Sequence, residues 1–143
     1  MSRRAVGFSA LLVILSLALI VPGVLRAADN DPLTFEMFQD KEKEFRWRLK
    51  QGDDIIGTAG QGYKEKASCK KGIEGIKKGL ENGKDTFEVY EDNAKAFRWR
   101  LKASNGQVVA ASNKGYKTKS DCEKVTDLIK KDAPKAAVAE EKK

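Results

Sequence analysis

Phe45-Arg46-Trp47-Arg48-Leu49-Lys50 occurs twice in this chain, returning letter for letter as Phe97-Arg98-Trp99-Arg100-Leu101-Lys102, 52 positions later. Each copy alternates apolar and basic residues. A β-strand sends successive side chains to opposite faces, so one face receives Phe, Trp and Leu and the other Arg, Arg and Lys. On a helix the same six residues would scatter around the axis. The pattern predicts two equivalent strands, each with an apolar side and a cationic side.

The likeness extends outward from these runs. Over residues 35–50 and 87–102, 10 of 16 aligned positions are identical, which marks an internal duplication. Phe35-Glu36-Met37-Phe38 and Phe87-Glu88-Val89-Tyr90 predict a short strand ahead of each run. Polar turns at 39–43 and 91–95 connect them. Downstream, Gln51-Gly52-Asp53-Asp54 and residues 103–107 read as second turns, with Asn105-Gly106 signalling a tight hairpin because both residues tolerate positive φ. Third strands follow at Ile55-Ile56-Gly57-Thr58 and Val108-Val109-Ala110-Ala111.

Each copy then becomes helical. Cys69, Ile73, Ile76 and Leu80 form an apolar stripe at helical spacing, as do Cys122, Val125, Leu128 and Ile129. Thr118 followed by Asp121 resembles a capping box. Gly79 or Gly83 is expected to end the first helix, and Gly72 and Gly75 to permit close approach to the sheet. The expected fold is α+β: two tandem β-β-β-α repeats with pseudo-two-fold symmetry, forming an antiparallel sheet covered on one face by two helices.

The segmentation that follows is a signal peptide at 1–28, a lead segment at 29–34, repeat 1 at 35–83, repeat 2 at 86–132 and a disordered tail at 133–143. Repeats of about 50 residues are near the lower limit for an independent core, so the two are expected to share one domain. Residues 1–28 open on Arg3 and Arg4, continue apolar, break at Pro22-Gly23 and exit through small residues, which is the composition of a secretory leader. An uncleaved anchor is the competing reading. Cleavage gives an exported, periplasmic or secreted protein with no stable membrane span. It also removes Arg3, Arg4 and Arg26, leaving 25 basic against 21 acidic residues and a net charge of +4 in place of +7.

The pattern F-E-x-aromatic-x-D, then F-R-W-R-L-K, then G-Y-x-x-K-x-x-C at a helix start resembles the YegP-like family, a bacterial family of uncharacterised function often built from tandem copies. The resemblance implies the fold above and transfers no catalytic residue. The leader and the charged tail set this chain apart from it.

Candidate chemistry is sparse. Arg46, Arg48, Lys50, Arg98, Arg100 and Lys102 would form a cationic surface if the copies join, and arginine forks suit phosphates and carboxylates. Nucleic acid, an anionic polymer or an acidic protein is the partner such a face suits. The competing reading is a solvated face on which these cations pair with Glu36 and Glu88. Trp47, Trp99, Phe45 and Phe97 lie on the opposite face and read as core. Cys69 and Cys122 occupy equivalent positions, either as a disulfide or as two buried thiols. With no His and two Cys, no zinc set and no Ser–His or Cys–His pair exists. No phosphate-cradling loop is present, and no cofactor is implied. The first expectation is an exported, non-catalytic binding module for anionic ligands. The alternative is a structural protein that self-associates through sheet edges, with an enzyme third.

Overall fold

The computed structural model describes residues 30–142. The proposed leader lies outside the described residues. The chain runs β1 (Leu33–Gln39), β2 (Phe45–Gln51), β3 (Asp54–Ala59), α1 (Lys66–Glu81), β4 (Thr86–Glu91), β5 (Phe97–Lys102), β6 (Val108–Ala111), α2 (Lys119–Asp132), a 3-10 turn (Ala133–Lys135) and β7 (Ala137–Glu140). All seven strands form one sheet in the order β4-β5-β6-β3-β2-β1-β7. Each repeat is a β-β-β meander followed by a helix, and the meanders join where β3 pairs antiparallel with β6.

The six-residue runs form β2 and β5. Trp47 and Leu49 are buried on one, Trp99 and Leu101 on the other, while the basic residues between them face the opposite side. Each tryptophan meets the phenylalanine of the preceding strand edge-on. The ring centroids are 5.2 Å apart for Phe35–Trp47 and 5.4 Å for Phe87–Trp99, the geometry that the ring quadrupole favours. Helix α1 packs on β1 and β2, and α2 on β4 and β5. Cys69, Ile73, Ile76 and Leu80 of α1 face the core, as do Cys122, Thr126 and Ile129 of α2.

The first hairpin turns explain why certain turn residues recur. In copy one the Asp40 carboxylate accepts the N–H groups of Glu42 and Glu44, and Lys43 takes φ 62°. In copy two Asp92 accepts from Ala94 and Ala96, and Lys95 takes φ 64°. A non-glycine residue at positive φ is uncommon, and here two side-chain hydrogen bonds hold each turn. The second turn of copy two is wider than Asn105-Gly106 predicts. It spans 103–107, only Gly106 (φ 83°) has positive φ, and the Asn105 side chain accepts from Gln107 N–H. A two-residue type I′ turn needs positive φ at both positions.

The helix ends match their sequence signals in part. Thr118 Oγ1 accepts from Asp121 N–H at 3.1 Å. Helix α1 stops at Glu81 with Gly83 at φ 72° just beyond, so Gly83 rather than Gly79 follows the helix end. Gly72 permits a close approach to a ring rather than to the sheet: a Cβ there would lie 2.3 Å from the Tyr63 hydroxyl.

The segment after Asp132 departs from expectation. It is not a disordered tail. Ala133 and Ala136 are buried, the 3-10 turn packs against both helices, and β7 joins the sheet beside β1. That pairing is parallel, so the sheet is mixed rather than purely antiparallel. Helix α2 and the 3-10 turn carry the chain from β6 across the sheet to the β1 edge, where β7 pairs. Alanine, lysine and glutamate are weak strand formers; docking onto β1 makes this segment a strand.

Candidate functional site

The six candidate cations project from β2 and β5. The join through β3 and β6 separates the two strands by three strand spacings, roughly 14 Å at about 4.8 Å each. The intervening strands carry no basic residue. The structure therefore brings together two three-residue rows, not one continuous patch.

Each cation already has a carboxylate. Arg46 Nε donates to Asp40 at 2.8 Å, and its Nη2 lies 3.6 Å from Glu44. Arg48 bonds Glu36 and reaches Glu141 at 2.9 Å, and Lys50 lies 3.5 Å from Glu36. In copy two Arg98 donates to Asp92 at 2.7 Å, Arg100 bonds Glu88, and Lys102 lies 2.6 Å from Glu88. The guanidinium groups of Arg48 and Arg100 also sit over the Phe38 and Tyr90 rings, 4.8 Å from each centroid. Six acids thus face six bases on this side of the sheet.

The carboxylates register these partners. Hydrogen bonds from Arg100 and then Lys102 hold Glu88 down at about 2. Burial would raise Glu36, yet the bonds and charges of Arg48 and Lys50 outweigh it and hold the group below its ordinary value. Asp40 is lowered first by Arg46 and then by the backbone N–H of Glu44, and Asp92 by Arg98 and Ala96 in the same order.

The other candidates are occupied structurally. Cys69 and Cys122 are both buried and free, so no disulfide links them, and burial raises both thiols. The Tyr116 hydroxyl is pushed up to about 12, chiefly by burial. Asp54 pairs with Lys114 at 2.6 Å. Asp40, Glu42 and Glu44 bring carboxylate oxygens within 4.8 Å of one another. Asp40 is spent on the turn and on Arg46, however, and copy two builds the same turn with Asp92, Asn93, Ala94 and Ala96.

What the sequence reading missed is an asymmetry between the sheet edges. By the repeat, β1 and β4 are equivalent strands. β1 is covered by β7, whereas among the described residues no strand pairs with the outer edge of β4. The difference shows in burial. Phe35 and Met37 are buried, but their counterparts Phe87 and Val89 are half-buried. The Glu36 side chain is 18% exposed against 38% for Glu88, and Arg48 24% against 37% for Arg100. The signal available in sequence was the unmatched segment after the second helix, 133–143, which has no counterpart between α1 and β4.

Comparison with known proteins agrees with this architecture. The family model described as a domain of unknown function, DUF1508, matches residues 40–82 and 92–140. A UPF0339 protein from the ptx operon 5′ region of Stutzerimonas stutzeri is 37% identical over 107 residues, covering 75% of this chain and 95% of that protein. A UPF0339 protein of Treponema denticola is 44% identical over 54 residues that make up 91% of it, so that relative is about one repeat long. The solution structure of yegP from E. coli, a protein of unknown function, superposes with TM-score 0.64 at 25% identity, covering 77% of this chain and 93% of that one. A UPF0339 protein from Shewanella oneidensis has the same fold, with TM-score 0.64 at 18% identity over 76% of this chain and 90% of that one. With two matches to the family model, one per repeat, the chain belongs to the DUF1508 family, whose function is unknown.

Proposed function

We propose that this chain is a non-catalytic interaction module that recruits a partner by strand addition at the β4 edge. One observation carries the reading: two equivalent strands end the duplicated sheet, one is sealed by β7, and the other is bare among the described residues. An exposed strand presents a row of unpaired N–H and C=O groups, which natural sheets usually cover or blunt. Adding an extended segment satisfies those groups, and alternate side-chain pockets select the segment. Phe87 and Val89, half-buried on the helix side, offer such an apolar contact.

The anionic-ligand reading of the arginine face has less support. A polyanion would have to displace carboxylates from all six cations, and β3 and β6 divide the surface. What supports export is the composition of residues 1–28. On that reading the module works outside the cytoplasm.

Site-directed photo-crosslinking tests the edge. A photoreactive residue at exposed Thr86, with the same group at exposed Asp53 as control, is irradiated in the native cell. A discrete adduct at Thr86 and none at Asp53 is expected. Equal labelling at both positions, or none at Thr86, removes the proposal.

A further inference from the structure

The tail shows what kind of strand this fold accepts, and the duplication repeats the receptor for it. β7 lies parallel to β1 with Val138 opposite Phe35 and Glu140 opposite Met37. Glu141 N–H donates to the Met37 carbonyl at 2.8 Å. Three side chains hydrogen-bond to this tail: Arg48 holds Glu141 at 2.9 Å, Lys66 holds Glu140 at 2.8 Å, and Lys77 donates to the Ala136 carbonyl at 2.7 Å. The repeat offsets of 52 and 53 carry these to Arg100, Lys119 and Lys130, and Met37 to Val89. All three cations recur beside an edge that, among the described residues, has no strand on it.

Resting on the edge reading above, we infer that β4 accepts a parallel peptide strand of the tail's own chemistry: a small apolar residue set over Phe87, then two consecutive carboxylates for Lys119 and Arg100. The occupant is a segment of another protein with that pattern. Arg100 has capacity for it: among the described residues it pairs with Glu88 and its side chain is 37% exposed, whereas Arg48 holds both Glu36 and the tail's Glu141. Among the described residues Lys119 pairs with exposed Glu123 at 3.8 Å, a pair that costs little to exchange. A second copy fits less well. Pairing β4 with β4 gathers the Glu88 and Glu91 carboxylates of both copies on one edge, and like charges opposite each other destabilise a ladder. Donating β7 in trans would bare the donor's β1, exchanging one open edge for another.

The test is an amide NMR titration of the isotope-labelled full chain with a synthetic peptide of residues 133–142. The expected result is saturable shifts across 87–91 and at Arg100, with added salt weakening binding. Arg100→Glu in the protein weakens binding at least about fivefold, the worth of one exposed ion pair, and Gln for both glutamates in the peptide, which removes two such pairs, about 25-fold. The peptide variant leaves the protein untouched, so it decides the matter even if Arg100→Glu fails to fold. Shifts confined to 33–39 mean exchange on β1 and overturn the inference. Equal binding of the uncharged peptide keeps the edge reading and overturns the acidic preference. β4 shifts that follow chain concentration alone make the occupant a second copy, and β4 amides unmoved by any peptide or concentration remove both readings.

Discussion

Gly57→Ala tests whether the two repeats share one core. Gly57 is on β3 of repeat 1, and a Cβ built there lies 2.9 Å from Cη2 and 3.0 Å from Cζ2 of Trp99, which belongs to repeat 2. Ordinary contact begins near 3.4 Å, so the indole must retreat by a few tenths of an ångström. It has little room, being 1% exposed and set edge-on to Phe87. Overpacking of this kind costs about 1–3 kcal/mol. Alanine recovers about 0.5–1 kcal/mol over glycine in a strand. The expected net loss is therefore roughly 1–2 kcal/mol, or roughly 4–8 °C in Tm for a domain of this size. Urea unfolding followed by tryptophan fluorescence measures it. Trp99 is the clash partner, so both tryptophans stay in place and resolved amide NMR peaks of each repeat, followed through the urea series, report on each half. Both reporters should show the same drop in midpoint. An unchanged or raised midpoint refutes the packing argument, and a drop seen by one reporter alone refutes the shared core.

Three further outcomes follow from the local chemistry. Glu88 has a folded-state pKa of about 2, below its ordinary 4.5, so the stability it contributes is fully present above pH 4.5 and lost as pH falls toward 2. A carboxyl NMR titration should find its midpoint near 2, Glu88→Gln should flatten acid unfolding in that window, and a midpoint near 4.5 refutes the pairing with Arg100 and Lys102. Cys69 and Cys122 should react with a thiol reagent only on unfolding, because both are buried and free with raised pKa values; fewer than two titratable thiols in denaturant without reductant contradicts this. Thr118→Ala should cost about 1 kcal/mol through the lost cap on α2, whereas Glu65→Ala, at an N-cap with no side-chain bond, should fall within about 0.5 kcal/mol in a melt.

Most of the repeat was legible because its signals are local. The period of two in residues 45–50 and 97–102 sets which faces Trp and Arg take, and the helix stripes set which residues cover the tryptophans. The elements that escaped depend on distant partners. Residues 137–140 carry no strand pattern strong enough to read, and they are extended because β1 offers a ladder. The turn at 103–107 was read in place, but not its form, because Asn105 caps with its side chain rather than taking positive φ. The six cations were read correctly as one face of two strands, but whether those strands adjoin is set by the β3–β6 seam, a contact between residues about 50 positions apart in the chain.

The ten identities between the repeats constrain where function can lie. Phe35 and Phe87 hold the tryptophans edge-on, and Glu36 and Glu88 pair the central arginines. Asp40 and Asp92 close the first turns, where Lys43 and Lys95 take positive φ. The remaining six positions form the amphipathic strands themselves. Each identical pair thus has a folding role, the arginines included, since their partners Glu36, Asp40, Glu88 and Asp92 are also duplicated. A duplicated residue with a satisfied structural partner gives no ground for a ligand site. The informative positions are those where equivalent sites differ in environment. One such difference is at Arg48 and Arg100: the same residue on equivalent strands, yet Arg48 holds a docked carboxylate from the tail and Arg100 does not. Recognition in this chain is therefore to be sought where the symmetry breaks, at the edge beside Arg100, rather than along the basic rows that first draw the eye.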